Sequence, residues 1–176
     1  SVKQPCSLNR LSNLIKATGT PCSPSTVMEY VRYLQESCLL ISIDNYASKF
    51  VEKETIKKHY FVDNGLLHLF INNPNTSLLE NLCTITLYKK YGKGLYYYNR
   101  NIEVDFYVPD EGLAVQASYQ MSDEETIERE VKALVALHGL YPLKRAMIIT
   151  YEDEGEIVRD GLKIEIRPAW KWVLEG

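Results

Sequence analysis

The chain has 176 residues, enough for one ordinary domain or two small ones, with 20 basic against 23 acidic side chains and a formal net charge of -3. That balance excludes a protein that coats nucleic acid through bulk positive charge, so any such contact has to come from a local patch. No run of about 18 apolar residues and no signal peptide is present, and the four cysteines (Cys6, Cys22, Cys38, Cys83) lack any C-x-x-C or paired-histidine spacing. Free thiols in a reducing compartment, and hence a cytoplasmic location without membrane, are expected. The chain opens without an initiator methionine and has no phosphate-binding glycine loop, as expected of a piece of a longer protein.

Residues 7–17 carry Leu8, Leu11, Leu14 and Ile15 at helical spacing, with Ser7 as N-cap. Residues 23–37 predict a second helix, capped by Ser23, opened by Pro24, and apolar at Val27, Tyr30, Val31 and Leu34. The Gly-containing turn between them suggests helix-turn-helix. Strands at 38–43 and 58–62, separated by the polar stretch 44–57, complete a winged-helix unit over residues 1–62. A recognition helix there would offer Ser25, Thr26 and Arg32 to DNA, with Lys53, Lys57, Lys58 and His59 near the wing adding phosphate contacts. Glu29, Glu36, Glu52 and Glu54 oppose them, and winged helices also dock proteins.

From residue 63 onward the pattern changes to an α/β unit. A turn at 63–65, a short helix at 66–71 and a loop at 72–75 lead to a helix at 76–91 that buries Leu78, Leu79, Leu82, Ile85 and Leu87. Strands follow at 95–99, 102–108 and 113–119, the last two joined by the tight turn Pro109-Asp110-Glu111-Gly112. In the run Tyr96-Tyr97-Tyr98 the middle ring faces away from its neighbours, which favours core packing over base stacking. The helix at 122–138 begins at an N-cap serine, Ser122, with acids suited to its dipole. A strand at 145–150, a charged turn at 152–159, a strand at 163–167 and a helix at 168–174 complete a mixed-sheet α/β sandwich.

Within this unit Glu103 and Asp105 lie two apart, on one face of a strand. Gln116 and Ser118 lie on the next strand, and Glu80 on the preceding helix. The order of Tyr60-Phe61-Val62-Asp63-Asn64-Gly65-Leu66, Leu78-Leu79-Glu80-Asn81, Glu103-Val104-Asp105-Phe106 and Glu128-Arg129-Glu130 with Ala133-Leu134 resembles the C-terminal region of bacterial and archaeal AAA-family ATPases known as domain of unknown function 4143. That region pairs a winged helix with a PD-(D/E)xK nuclease-like domain, here residues 63–176.

The resemblance implies an ATPase domain of the same parent chain as partner, with possible DNA and a possible homo-oligomer through that ATPase. It implies Glu80, Asp105 and Gln116 as the remnant of a nuclease site. In an active relative Asp105 and Glu80 would hold Mg²⁺ or Mn²⁺, and the metal would polarise the scissile phosphate and activate water. Ser118 stands where the motif has lysine. A neutral hydroxyl cannot supply that charge, a loss of about 2.7–4 kcal/mol in the transition state. The expectation is therefore a recognition or docking region without cleavage and without a cofactor of its own. The alternative is a nuclease with a displaced lysine, Lys132 or Lys144. Glu103 would serve as a second ligand or as a salt-bridge partner.

Overall fold

A computed structural model describes residues 5–69, 71 and 75–175. These form a mixed α/β fold around a nine-stranded sheet of order β1-β3-β2-β4-β5-β6-β7-β9-β8. The strands are β1 (Cys6–Ser7), β2 (Leu40–Asn45), β3 (Ile56–Phe61), β4 (Tyr96–Asn99), β5 (Glu103–Val108), β6 (Leu113–Ala117), β7 (Arg145–Thr150), β8 (Gly155–Arg159) and β9 (Leu162–Pro168). The helices are α1 (Leu8–Ala17), α2 (Pro24–Glu36), α3 (Phe50–Thr55), α4 (Asn64–His68), α5 (Asn75–Tyr91), α6 (Glu124–Leu140) and α7 (Ala169–Glu175).

Both N-terminal helices begin where their caps predict: the Ser7 hydroxyl accepts from Arg10 N, and that of Ser23 from Thr26 N. The α2 helix ends through Cys38 at φ +54°, with Leu39 N bonded back to the Leu34 carbonyl. This positive-φ residue delays β2 to Leu40, two residues later than expected. β2 and β3 pair antiparallel as anticipated, but they do not stand apart as a wing. β2 also runs parallel to β4 through Asp44↔Tyr96 and Asn45↔Tyr97, so the central sheet extends across the boundary expected at residue 62. The stretch 44–57 is not all loop, because it holds α3. Asp63, read as a turn residue, caps α4 by accepting from Gly65 N and Leu66 N, so that helix begins earlier than predicted. Of the loop expected at 72–75, residues 72–74 lie outside the described residues.

Two apolar layers fill the two faces of the sheet. On one face α5 packs Leu79, Cys83 and Leu87 against Tyr97, Phe106, Val108, Val115 and Ile149. On the other α6 packs Val131, Leu134 and Leu137 against Tyr98, Val104, Tyr107, Ala114 and Ile148. Tyr97 and Tyr98 thus enter opposite cores, as strand alternation requires. β6, α6 and β7 form a parallel crossover, and β9 adds parallel to β7. The charged segment at 152–159 is not simply a turn: β8 occupies residues 155–159 and pairs antiparallel with β9. The α6 cap is Asp123 rather than Ser122, its carboxylate accepting from Thr126 N at 2.7 Å.

One turn constrains the sheet sharply. Gly112, between β5 and β6, has φ +58°, and its carbonyl accepts from both Lys144 N and Arg145 N. A Cβ there would meet Lys144 N at 3.1 Å. Gly112→Ala is expected to destabilise the fold by about 1–2 kcal/mol, the cost of a left-handed L-residue, plus the crowding against Lys144. A shift in the chemical denaturation midpoint at unchanged slope would measure it.

Candidate functional site

The acids of the candidate site come together because two sequence motifs interlock. Asn81 on α5 is fully buried. Its side-chain oxygen accepts from Phe61 N at 2.9 Å, and its amide donates to the Phe61 carbonyl at 2.8 Å and to Asn64 Oδ1 at 2.9 Å. This fixes the start of α5 against the end of β3. The residue before it, Glu80, is held beneath the sheet, where it accepts a 2.8 Å hydrogen bond from the hydroxyl of fully buried Tyr60.

Asp105 is presented by a break in the pairing of β4 and β5. Tyr96 pairs with Tyr107 and Tyr98 with Val104, so Asp105 and Phe106 together oppose Tyr97. Two residues against one is a β-bulge, a device that re-aims side chains. Val104 faces α6 while Phe106 faces α5, the change of phase that such a bulge produces. Glu103 and Asp105 keep the common side expected of them, since both reach one partner.

That partner is Lys58 on β3. Its side chain is 1% exposed, and Nζ lies 3.1 Å from Glu103 Oε1, 3.3 Å from Asp105 Oδ1 and 3.6 Å from Glu80 Oε1. The Tyr97 ring centroid is 5.4 Å from the ammonium, a cation–π distance. Burial works against the charge, but Asp105, Glu80 and Glu103 together outweigh it, and the lysine pKa rises. Lys58 therefore stays protonated. Burial, together with Glu80 and Asp105, pushes the Tyr60 hydroxyl up, so it remains a donor to Glu80.

Gln116 does not face the cluster as a ligand. Its side-chain oxygen accepts from Asp105 N at 2.8 Å and its amide donates to the Glu103 carbonyl at 3.1 Å. It continues the β5–β6 ladder with a side chain where backbone pairing stops after Phe106↔Val115. The second Asp105 oxygen accepts from Ala117 N at 3.1 Å. Ser118 is buried and turned to its own loop, its hydroxyl donating to the Gln120 carbonyl at 3.1 Å.

Above the cluster opens a cavity of about 620 Å³ whose lining includes Lys58, Glu80, Asp105, Arg129, Glu130 and Lys132. Arg129 is bound to Glu130 through Nη2 at 2.7 Å and Nε at 3.1 Å, and burial pushes the Glu130 carboxyl up. Of the two displaced-lysine candidates, Lys132 lines this cavity. Lys144 does not; its backbone sits at the β5–β6 turn, at the other end of β6.

A divalent ion does not fit this donor set as it stands. Mg²⁺ needs near-octahedral oxygens at about 2.0–2.1 Å. Here an ammonium occupies the convergence point, both Asp105 oxygens accept hydrogen bonds, and the Gln116 oxygen is committed to the β5 main chain.

Ser25, Thr26 and Arg32 lie elsewhere, on α2. The Ser23 hydroxyl bonds those of Ser25 and Thr26 at 2.7 and 2.8 Å, and Arg32 pairs with Glu36 at 3.8 Å. Lys58 is the residue whose place sequence reasoning misses: its position in a basic run near the wing suggests a phosphate contact, and the structure buries it. A signal was present: Lys58 and Tyr60 are two apart on a strand, so a lysine had to share the face of a large aromatic.

Two measurements follow from this geometry. Gln116→Leu strips Asp105 N–H and the Glu103 carbonyl of their partner, and a loss of about 2–4 kcal/mol is expected by denaturation. His59, beside Lys58, accepts or donates at 2.7 Å to Ser42, and burial foremost lowers its pKa from 6.5 to about 4. The unfolded chain therefore takes up this proton first as pH falls, and stability is lost between about pH 6.5 and 4. NMR titration of His59 should show no protonation near pH 6.5, and a His59→Gln variant should lose this part of the acid sensitivity.

No protein-family model matches the chain, and no solved structure matches it. Among curated proteins it is similar to an uncharacterized protein of Methanocaldococcus jannaschii, 31% identical over 183 aligned positions that take in 96% of this chain and 40% of the relative. The chain thus spans about two fifths of the length of the curated relative it matches. Among the described residues no helix is long and apolar enough to cross a membrane.

Proposed function

We propose that this chain is a cytoplasmic recognition and docking region of an AAA-type ATP-binding protein, and that its nuclease-like half does not cleave nucleic acid. The observation that carries the docking role is the open apolar face of α1 and α2. A groove of about 310 Å³ runs among Leu11, Ile15, Val27, Tyr30, Val31 and Leu34, and along it Tyr30 is 57% and Leu34 40% exposed. A helix pair that leaves this much of its apolar stripe uncovered is built to meet a partner. The occupant is the ATPase domain of the same parent chain. In support, the archaeal relative extends well beyond the region aligned with this chain.

DNA binding is the weaker use of the same helices. The hydroxyls that would meet phosphates bond one another, and Arg32 is paired with Glu36. Cleavage is disfavoured by the engagement of Asp105 and Gln116 within the fold.

Tyr30→Ser together with Leu34→Ser should weaken binding of the parent ATPase domain, added as a separate polypeptide, at least about tenfold, corresponding to 1.4 kcal/mol, by calorimetric titration. Unchanged binding, or DNA binding that falls steeply with salt and is lost in Arg32→Ala, would overturn the docking role. Incubation with DNA or RNA and Mn²⁺ should leave the nucleic acid intact. Cleavage that disappears in Asp105→Ala would restore the displaced-lysine nuclease.

A further inference from the structure

We propose that the Lys58 ammonium is the resident cation of the Glu80–Glu103–Asp105 cluster, standing where a nuclease of this fold would hold a divalent ion. In this role it staples β3 to α5 and β5 without metal. Three carboxylates from two elements converge within 3.6 Å of one nitrogen that is 1% exposed. Acids gathered this closely repel one another unless a positive charge sits among them. Arg129, which also lines the cavity, is engaged by Glu130. Lys58 lies within ion-pairing distance of all three acids.

The lysine arrives from outside the motif that usually supplies it. Ser118 stands at the motif position and is turned to the Gln120 carbonyl, while Lys58 comes from β3, on the other side of β2 and β4 from the acids of β5. A lysine at 118 would directly follow β6, the strand beside that of Asp105. Lys58 instead reaches past the Tyr97 ring, so its charge ties the N-terminal strands to the rest of the sheet. For an ion to take its place, the ammonium would have to leave a pocket in which it is screened from water. The Gln116 oxygen and the second Asp105 oxygen stay with Asp105 N and Ala117 N, so such an ion would draw on the oxygens of Glu80, Glu103 and Asp105 that now face the lysine.

Because this assignment uses the cluster named in the non-cleaving part of the proposed function, metal binding is measured separately from cleavage. Mn²⁺ is titrated into the chain and free Mn²⁺ is followed by electron paramagnetic resonance. Wild type should leave micromolar Mn²⁺ free, and neither Mn²⁺ nor EDTA should move its Tm. Lys58→Met should lower Tm by roughly 10 °C, as removal of one partner of a buried pair does in a chain of this size. That variant should also gain Mn²⁺ binding, with part of the lost Tm restored by millimolar Mn²⁺. Lys58→Arg, which keeps the charge, should retain more of the Tm than Lys58→Met and should not bind Mn²⁺. Micromolar binding by wild type that is lost in Asp105→Asn would overturn the assignment even if no cleavage is seen, leaving the docking role intact. A Lys58→Met variant as stable as wild type would also overturn it. Should Lys58→Met fail to fold, the wild-type titration decides alone, free Mn²⁺ supporting the assignment and bound Mn²⁺ overturning it.

Discussion

Lys58 places an ammonium in the protein interior, and a buried ammonium has to be matched by acids at short range or lose its proton. Glu103, Asp105 and Glu80 supply that match at 3.1, 3.3 and 3.6 Å. The requirement runs both ways, since Glu80 is also buried and meets both the lysine and the Tyr60 hydroxyl. Much of the surrounding geometry serves this one interaction. The bulge turns Asp105 and Phe106 to the same side, Gln116 closes the ladder that the bulge interrupts, and Asn81 holds α5 close enough to β3 for Glu80 to reach.

The result is a site with the residue types of a hydrolytic centre and the hydrogen bonding of a structural one. A nuclease needs carboxylate oxygens free to hold metal and a cation exposed to phosphate. Here the oxygens of Asp105 and Gln116 face N–H groups of the fold, and the cation is enclosed. The cavity above it is lined by Arg129 and Glu130, which neutralise each other. The face proposed for docking lies instead on α1 and α2, where apolar side chains meet solvent. The acid cluster in the sheet and the face proposed for docking on the helices are thus separated in space.

Much of the architecture was legible from residue patterns. Helices with a capping serine and a clear apolar stripe, α1 and α2, begin at the expected residues, and the alternation of Tyr97 and Tyr98 between two cores follows from strand geometry. Glu80, Asp105 and Gln116 were found as neighbours because the motif order carries them. Three things were not legible. The β5 bulge depends on pairing with β4, which local sequence does not encode. Gln116 reads as a ligand in a linear motif, and its bonding to the β5 main chain emerges only when two strands are side by side. Lys58 sits in the basic run Lys57-Lys58-His59, where composition suggests a solvated strand. Lys57 does meet a partially exposed acid, Asp44, at 2.8 Å, while Lys58 turns inward, so adjacent lysines go to opposite faces.

A crystal structure grown in Mn²⁺, with anomalous data collected for that ion, tests the central claim most directly. The account predicts no anomalous peak among Glu80, Glu103 and Asp105, and a Lys58 nitrogen in ion-pair contact with all three. An anomalous peak at that point, ligated by the acids and with Lys58 displaced, would contradict it.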